Sequence, residues 1–316
     1  MKFQEIYDLA IEAGSAADPR GKVGIARVLG DAKKSYEQLL DDDKKYFDKE
    51  KLVNPFADTR ILYGDPEAEI SNIFVGIDME VQEILLADRL KEKGMEIDLV
   101  ISHHPEGKAL AALDQVMKMQ ADIWHEFGVP INIGDVLMDK RIKEVKRAIS
   151  PINHNRPVDC ARLLGIPLMC VHTPADNLVS SYLQNYLEDS EPYLVDDVVK
   201  ALREIPEYEE AIRLNAGPFI VSGNGKRRAG KVLVMMTGGT GGPEGSVEKL
   251  AAAGVGTMVE MHMDEKLRKK ADEFGLNVVI AGHIASDNIG VNIFLDMLEE
   301  KGIEVLTASG LKRFKR

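Results

Sequence analysis

Apolar residues along this chain follow two rhythms. Over the first sixty positions they recur at helical spacing: Phe3, Ile6, Ala10 and Ala13 form one stripe, and charged residues accumulate between Asp41 and Lys51 as a solvated segment. Leu62-Tyr63-Gly64-Asp65-Pro66 then reads as a turn. Beyond it, short apolar runs alternate with amphipathic stretches. Strands are predicted at 73–77, 98–101 and 167–171, and helices at 80–93, 110–126, 140–149, 157–164 and 178–187. An acidic link at 188–192 precedes a second round. That round predicts a helix at 195–203, strands at 219–221, 231–236, 257–260 and 277–280, and helices at 246–253 and 264–274. A helix at 288–301 and a strand at 303–307 close the chain.

Such alternation predicts an α/β fold, two α/β domains with sheets covered by helices. Residues 1–60 would be a helical N-terminal extension, 61–188 the first α/β domain and 189–316 the second. Ligands in folds of this kind bind just beyond the carboxyl ends of strands.

Composition narrows the class. With 45% hydrophobic and 29% charged residues, the 316-residue chain can bury globular cores. A formal net charge of −12 argues against a nucleic-acid-binding surface. No apolar run approaches the roughly 18 residues of a membrane span, and the N-terminus lacks the apolar segment of a signal peptide. The expectation is a cytoplasmic protein. Cys160 and Cys170 each lie in apolar sequence and read as core residues, not as a disulfide or a zinc ribbon.

Histidine placement carries the chemistry. His103 and His104 follow one predicted strand, His172 follows another, and His283 comes three residues after a third; Asp176 and Asp287 each lie four residues beyond a histidine. A lone His-His pair is usually a surface feature, and His-Thr-Pro-Ala-Asp alone reads as a capped turn. Three such segments at strand ends make a stronger case. Imidazole with carboxylate suits zinc, manganese or iron better than calcium. A carboxylate can bridge two such ions, and a pair activates water.

The ordered triple Ser102-His103-His104-Pro105, His172-Thr173-Pro174-Ala175-Asp176 and Gly282-His283-Ile284-Ala285-Ser286-Asp287 resembles the metal motifs of the NGG-interacting-factor-three-like family. One branch of that family is named GTP cyclohydrolase I type 2. The resemblance runs from about Ile73 to Thr307. It implies two α/β domains with two divalent metal ions in the cleft between them, and a homo-oligomer, in the family a ring-shaped hexamer. The implied ligands are His103, His104, Asp176 and His283, with His172 outside the ligand set. The family's fifth ligand is Glu, where this chain has Asp287. One methylene shorter, Asp287 would ligate through an altered backbone, ligate one ion only, or fail to reach.

Other residues are open to two readings. Glu260 and His262 end a predicted strand, either as half-exposed polar residues or as general base and substrate contact. Gly238, Gly239 and Gly241 lie in a loop that either cradles a phosphate at a helix N-terminus or simply turns the chain. Asp78 is placed to orient a ligand histidine. Gly225 to Lys231 has phosphate-loop spacing, but Val232 replaces the Ser or Thr and a strand follows, so it is a basic hairpin turn. These features point to a metal-dependent hydrolase of a nucleotide-like or phosphorylated small molecule; the branch name would make that substrate GTP. The alternative is a non-catalytic, metal-binding regulatory or interaction protein, because a fold family defines a site better than a reaction.

Overall fold

The computed structural model describes residues 1–316, which form two mixed sheets covered by helices. The first sheet contains β1 (Arg60–Tyr63), β2 (Asn72–Gly76), β3 (Leu99–Ser102), β4 (Leu168–Cys170) and β9 (Glu304–Ala308), in the order β1-β4-β3-β2-β9. The second contains β5 (Phe219–Ser222), β6 (Lys231–Met235), β7 (Val255–Glu260) and β8 (Asn277–Ile280), in the order β5-β8-β7-β6. In each sheet the first strand runs antiparallel to its neighbour and the other pairings are parallel. β1 to β4 thus have the same arrangement as β5 to β8.

Parallel strands buried on both faces explain the continuous apolar runs. Side chains alternate across each strand: Ile73 and Val75 face the largest core, and Phe74 faces a separate cluster with Ile84 and Ala161. In the second sheet, Val234, Val259 and Val279 face Leu183 and Leu187, while Leu233, Met258 and Val278 face Trp124 and Leu250.

Two helices, Thr173–Asp189 and His283–Glu299, supply side chains to the cores of both sheets and form the layer between them. The second of these is buried around most of its circumference, from Ala285 to Leu298. Both begin five residues before the helices predicted from the pattern. Pro174 is compatible with this because a first-turn residue needs no intrahelical N–H bond. His172 therefore caps one of these helices, with Asp176 in its first turn, and His283 opens the other.

Several other elements differ from expectation. β1 takes up part of the predicted turn, and the helix predicted at 110–126 breaks into Gly107–Ala111, a 3-10 turn and Met119–Glu126. Helix Pro206–Arg213 follows a segment that had no predicted structure. The closing strand β9, assigned by sequence to the second half, lies on the edge of the first sheet, parallel to β2. Helix His283–Glu299 packs across the middle layer and returns the chain there. The N-terminal segment is helical over Phe3–Ala16 and Gly21–Gln38, and Phe3, Ile6 and Ala10 are part of the first core. No helix is long and apolar enough to cross a membrane. Cys160 and Cys170 are both free, with Cys170 buried in β4.

The two central helices approach closely at Gly290, where an added Cβ would lie 2.1 Å from the carbonyl oxygen of Ala175. Gly290→Val is expected to cost about 1–3 kcal/mol by forcing the helices apart, read as a lowered thermal or urea midpoint. Gly30→Ala, in a helix with open space around the added methyl group, is expected to stabilise by about 0.5–1 kcal/mol.

Candidate metal centre

The carboxyl ends of β3, β4 and β8 converge with the first turns of the two central helices. His103 and His104 leave β3, and their backbone N–H groups donate to Gly76 and Ile77 at the end of β2. Adjacent residues on extended chain diverge, but both rings still reach the same carboxylate. His172 and Asp176, like His283 and Asp287, are four residues apart at a helix start and therefore share one helical face.

The proton positions follow from the hydrogen bonds. His103 Nδ1 lies 3.0 Å from the Val171 carbonyl, so it must donate, and Nε2 is the free acceptor. His104 Nδ1 is 2.6 Å from Asp78 Oδ1, and His172 Nδ1 is 2.8 Å from Asp58 Oδ2. In each case the outer nitrogen is held and Nε2 points inward, as in metal-ligating histidines. Asp78 is thus placed as expected.

Asp287 is the focus. Its Oδ1 lies 3.5 Å from His103 Nε2, and its Oδ2 lies 3.4 Å from His104 Nε2 and 3.5 Å from His283 Nε2. Asp176 Oδ1 lies 3.5 Å from His103 Nε2, and its Oδ2 lies 3.7 Å from His172 Nε2. These separations are long for hydrogen bonds. They match the edge of a tetrahedron, because two ligand atoms each about 2.1 Å from one ion lie about 3.4 Å apart. Both oxygens of Asp287, Oδ1 of Asp176 and Nε2 of His103 are buried without any hydrogen-bond partner. Such orphans are costly unless something satisfies them. Two groups of donor atoms are close enough to hold a cation: His103 with His172 and Asp176, and His103 with His104 and Asp287. The donor set fits divalent ions that favour nitrogen and oxygen.

The electrostatics point the same way. Burial alone would raise the Asp287 carboxyl, but the surrounding His103, His104 and His283 imidazoles hold it far below the usual range. Burial dominates at Asp176 and pushes it up to about 6, against the pull of His172 and His103. Burial disfavours charge on His172, yet Asp176 and Asp58 push it up to about 9. His104 is raised for a similar reason, with Asp287 outweighing burial, whereas burial dominates and lowers His283.

The structure brings His103, His104, Asp176, His283 and Asp287 together. His172, expected outside the ligand set, faces Asp176. Asp287 is within reach despite being one methylene shorter than Glu. The sequence reading missed Asp58, a fully buried carboxylate that accepts from Thr173 Oγ1 at 2.6 Å as well as from His172. No local motif marks it. The antiparallel register of β1 and β4, with Arg60 opposite Cys170, places position 58 opposite position 172.

The centre opens into a cleft of about 310 Å³, shared with Glu260, His262, Gly239 and Gly241. His262 is exposed, its ring centre 5.0 Å from that of His283. Gly238 lies behind the cleft wall. Its carbonyl and that of Thr240 accept from Gln120 Nε2, and the Gly241 carbonyl accepts from Arg141 Nε. The following helix starts only at Gly245, after Pro243 and Glu244, so the loop is not itself a helix N-terminus.

No family model and no curated protein matches the chain. Among solved structures it is similar to a NIF3 superfamily protein from Sphaerobacter thermophilus, with 26% identity and a TM-score of 0.71 over 90% of this chain and 98% of that one. Reduced HcgD from Methanocaldococcus jannaschii aligns at 17% identity and a TM-score of 0.47, covering 87% of this chain and 96% of that one. A Bacillus cereus protein related to NIF3 aligns at 11% identity and a TM-score of 0.42, covering 79% and 89%.

Asp287→Ala is expected to abolish high-affinity metal binding, measured by zinc titration against a chromogenic chelator. Asp58→Asn is expected to weaken it about 10–100-fold, because His172 loses its orienting carboxylate. Unchanged zinc affinity in Asp58→Asn would separate Asp58 from the metal centre.

Proposed function

The chain belongs to the NIF3 superfamily, and on that premise we propose that its cleft is a dinuclear metal-dependent hydrolase site for a phosphorylated or nucleotide-like small molecule. The observation that carries this reading is Asp287, a buried carboxylate whose two unpartnered oxygens face different histidines. His103, His172, Asp176 and Asp287 Oδ1 would hold one ion; His104, His283 and Asp287 Oδ2 would hold the other. Fewer protein ligands at the second position leave room for water or substrate. Zinc, manganese or iron ions bound there supply Lewis-acid polarisation and make water acidic enough to attack near neutral pH.

The remaining groups have roles set by their surroundings. Burial, reinforced by the charge of Asp264, pushes Glu260 up to about 8. A proton held there makes Glu260 the general acid that protonates the leaving group, a role beside the general base or substrate contact that its strand-end position offers. Exposed His262, beside His283, contacts the substrate. The amides of Gly239 and Gly241 receive its anionic group, while Gln120 and Arg141 hold neighbouring loop carbonyls. The cleft would lie between two α/β domains, with β9 counted in the first.

Protein carrying about two ions per chain by elemental analysis is expected to release phosphate, or an altered base, from a panel of nucleotides and phosphate monoesters. Glu260→Gln is expected to lower kcat about 10²–10⁴-fold. Activity that needs protonated Glu260 falls as pH rises through its pKa. Bound dications lower that pKa, so the fall occurs at or below about pH 8 and is absent from Glu260→Gln. No turnover by fully loaded protein would leave the non-catalytic metal-binding reading in its place.

A further inference from the structure

Beside the metal cleft lies a second cavity of about 410 Å³, within the range of small-molecule sites. It is formed by helix Pro206–Arg213, strand β5, the start of helix His283–Glu299 and the C-terminal segment. Met261 and His283 line both spaces. The His283 ring is therefore shared, with Nε2 facing Asp287 at 3.5 Å in the metal centre.

The walls are mainly apolar, including Leu214, Phe219, Ile280, Ile284 and Phe314. Leu214 and Phe219 are 69% and 53% exposed. The amide and carboxylate side chains in the wall already have partners. Asn288 Nδ2 donates to the Ile284 and Gly310 carbonyls at 2.7 and 2.9 Å, and its Oδ1 accepts from the Lys312 N–H at 2.6 Å. Glu207 is paired with Arg316 at 2.8 Å and accepts from Asn292. Glu210 is paired with Lys312 at 2.7 Å and with Arg213 at 3.2 Å. The C-terminal segment is further pinned to the helix His283–Glu299 through Arg313 and its partners Asp296 and Glu299. The cavity is thus formed in advance, without ordering on binding.

We propose that this cavity binds an uncharged aromatic ring of the substrate while the substrate's anionic end occupies the metal cleft. Calling the ligand a substrate rests on the hydrolase reading above. Phe219, Phe314 and the Met261 thioether favour a flat ring. A purine there would leave its own N–H and carbonyl groups unpaired, at a cost of about 1–3 kcal/mol each. The cavity therefore selects a phosphorylated aromatic compound over a nucleotide.

The test uses zinc-loaded protein with 1-naphthylphosphonate and methylphosphonate, which carry the same anionic head and no scissile ester. By titration calorimetry the naphthyl compound is expected to bind at least about tenfold more tightly, the gain from burying a ring. Phe219→Ser removes part of the wall, and Ala216→Trp fills the cavity from another exposed position. Each is expected to erase the preference and leave methylphosphonate binding unchanged. Equal binding of the two compounds, no binding of either, or a preference that survives both substitutions overturns the proposal. Phosphate release from 1-naphthyl phosphate is followed in parallel. A naphthyl preference without release supports the cavity and removes the hydrolase reading. Release without a naphthyl preference overturns the cavity proposal and retains hydrolysis.

Discussion

Buried negative charge that the protein itself does not neutralise is the constraint on which this structure turns. Asp58, Asp176 and Asp287 lie within one small volume, each almost completely excluded from solvent. Asp58 accepts from His172 and Thr173, but both oxygens of Asp287 and one of Asp176 have no donor. Uncompensated carboxylates at such depth are among the most expensive features a fold can hold. Four imidazoles surround them, and the rings of His103, His104 and His172 are each held by an outer hydrogen bond. A metal ion among these atoms would satisfy the orphans and use the oriented nitrogens together.

The scaffold meets this constraint through duplicated topology. In both sheets an antiparallel first strand flanks three parallel strands in the same order, and β9 adds a fourth to the first sheet. The third strand of each set delivers polar residues to the cleft, His103 and His104 from β3 and Glu260 and His262 from β7. After the fourth strand of each set, a helix carries a histidine and an aspartate one turn apart. The two halves then diverge in chemistry. The first supplies most of the groups that could hold a metal, while the second supplies His283, Asp287 and the cleft residue Glu260. Close contact of the central helices at Gly290 brings the two aspartates near one another. Asp287 meets three imidazole nitrogens, two from the end of β3 and one from the start of its own helix.

A shared wall can make two spaces into one extended binding surface. His283 serves the metal centre with one edge and the neighbouring apolar cavity with its ring. The polar cleft and the apolar cavity are consequently placed side by side. The basic tail, Lys312 to Arg316, is largely spent on ion pairs with Glu207, Glu210, Asp296 and Glu299 that shape the cavity rim.

What could be read from the sequence was local in origin. Apolar periodicity depends on near neighbours, and it was enough for the α/β class and for nearly all the buried parallel strands. The three histidine motifs sit at strand ends because backbone direction alone carries them there. Asp78, one residue beyond the strand predicted at 73–77, could be placed by the same logic. Long-range pairing decided the rest. β1 is only four residues long with little alternation, so only its register with β4 brings Asp58 against His172. β9 has no local signal for which sheet it joins; the open edge of β2 and the path of the preceding helix determine that. Whether Asp287 reaches His103 and His104 depends on how its helix packs against the end of β3, a property of packed side chains across more than a hundred residues of separation. Sequence determined which groups could bind a metal, and tertiary packing decided that they face one another, because ligand geometry is set by contacts that no local pattern encodes.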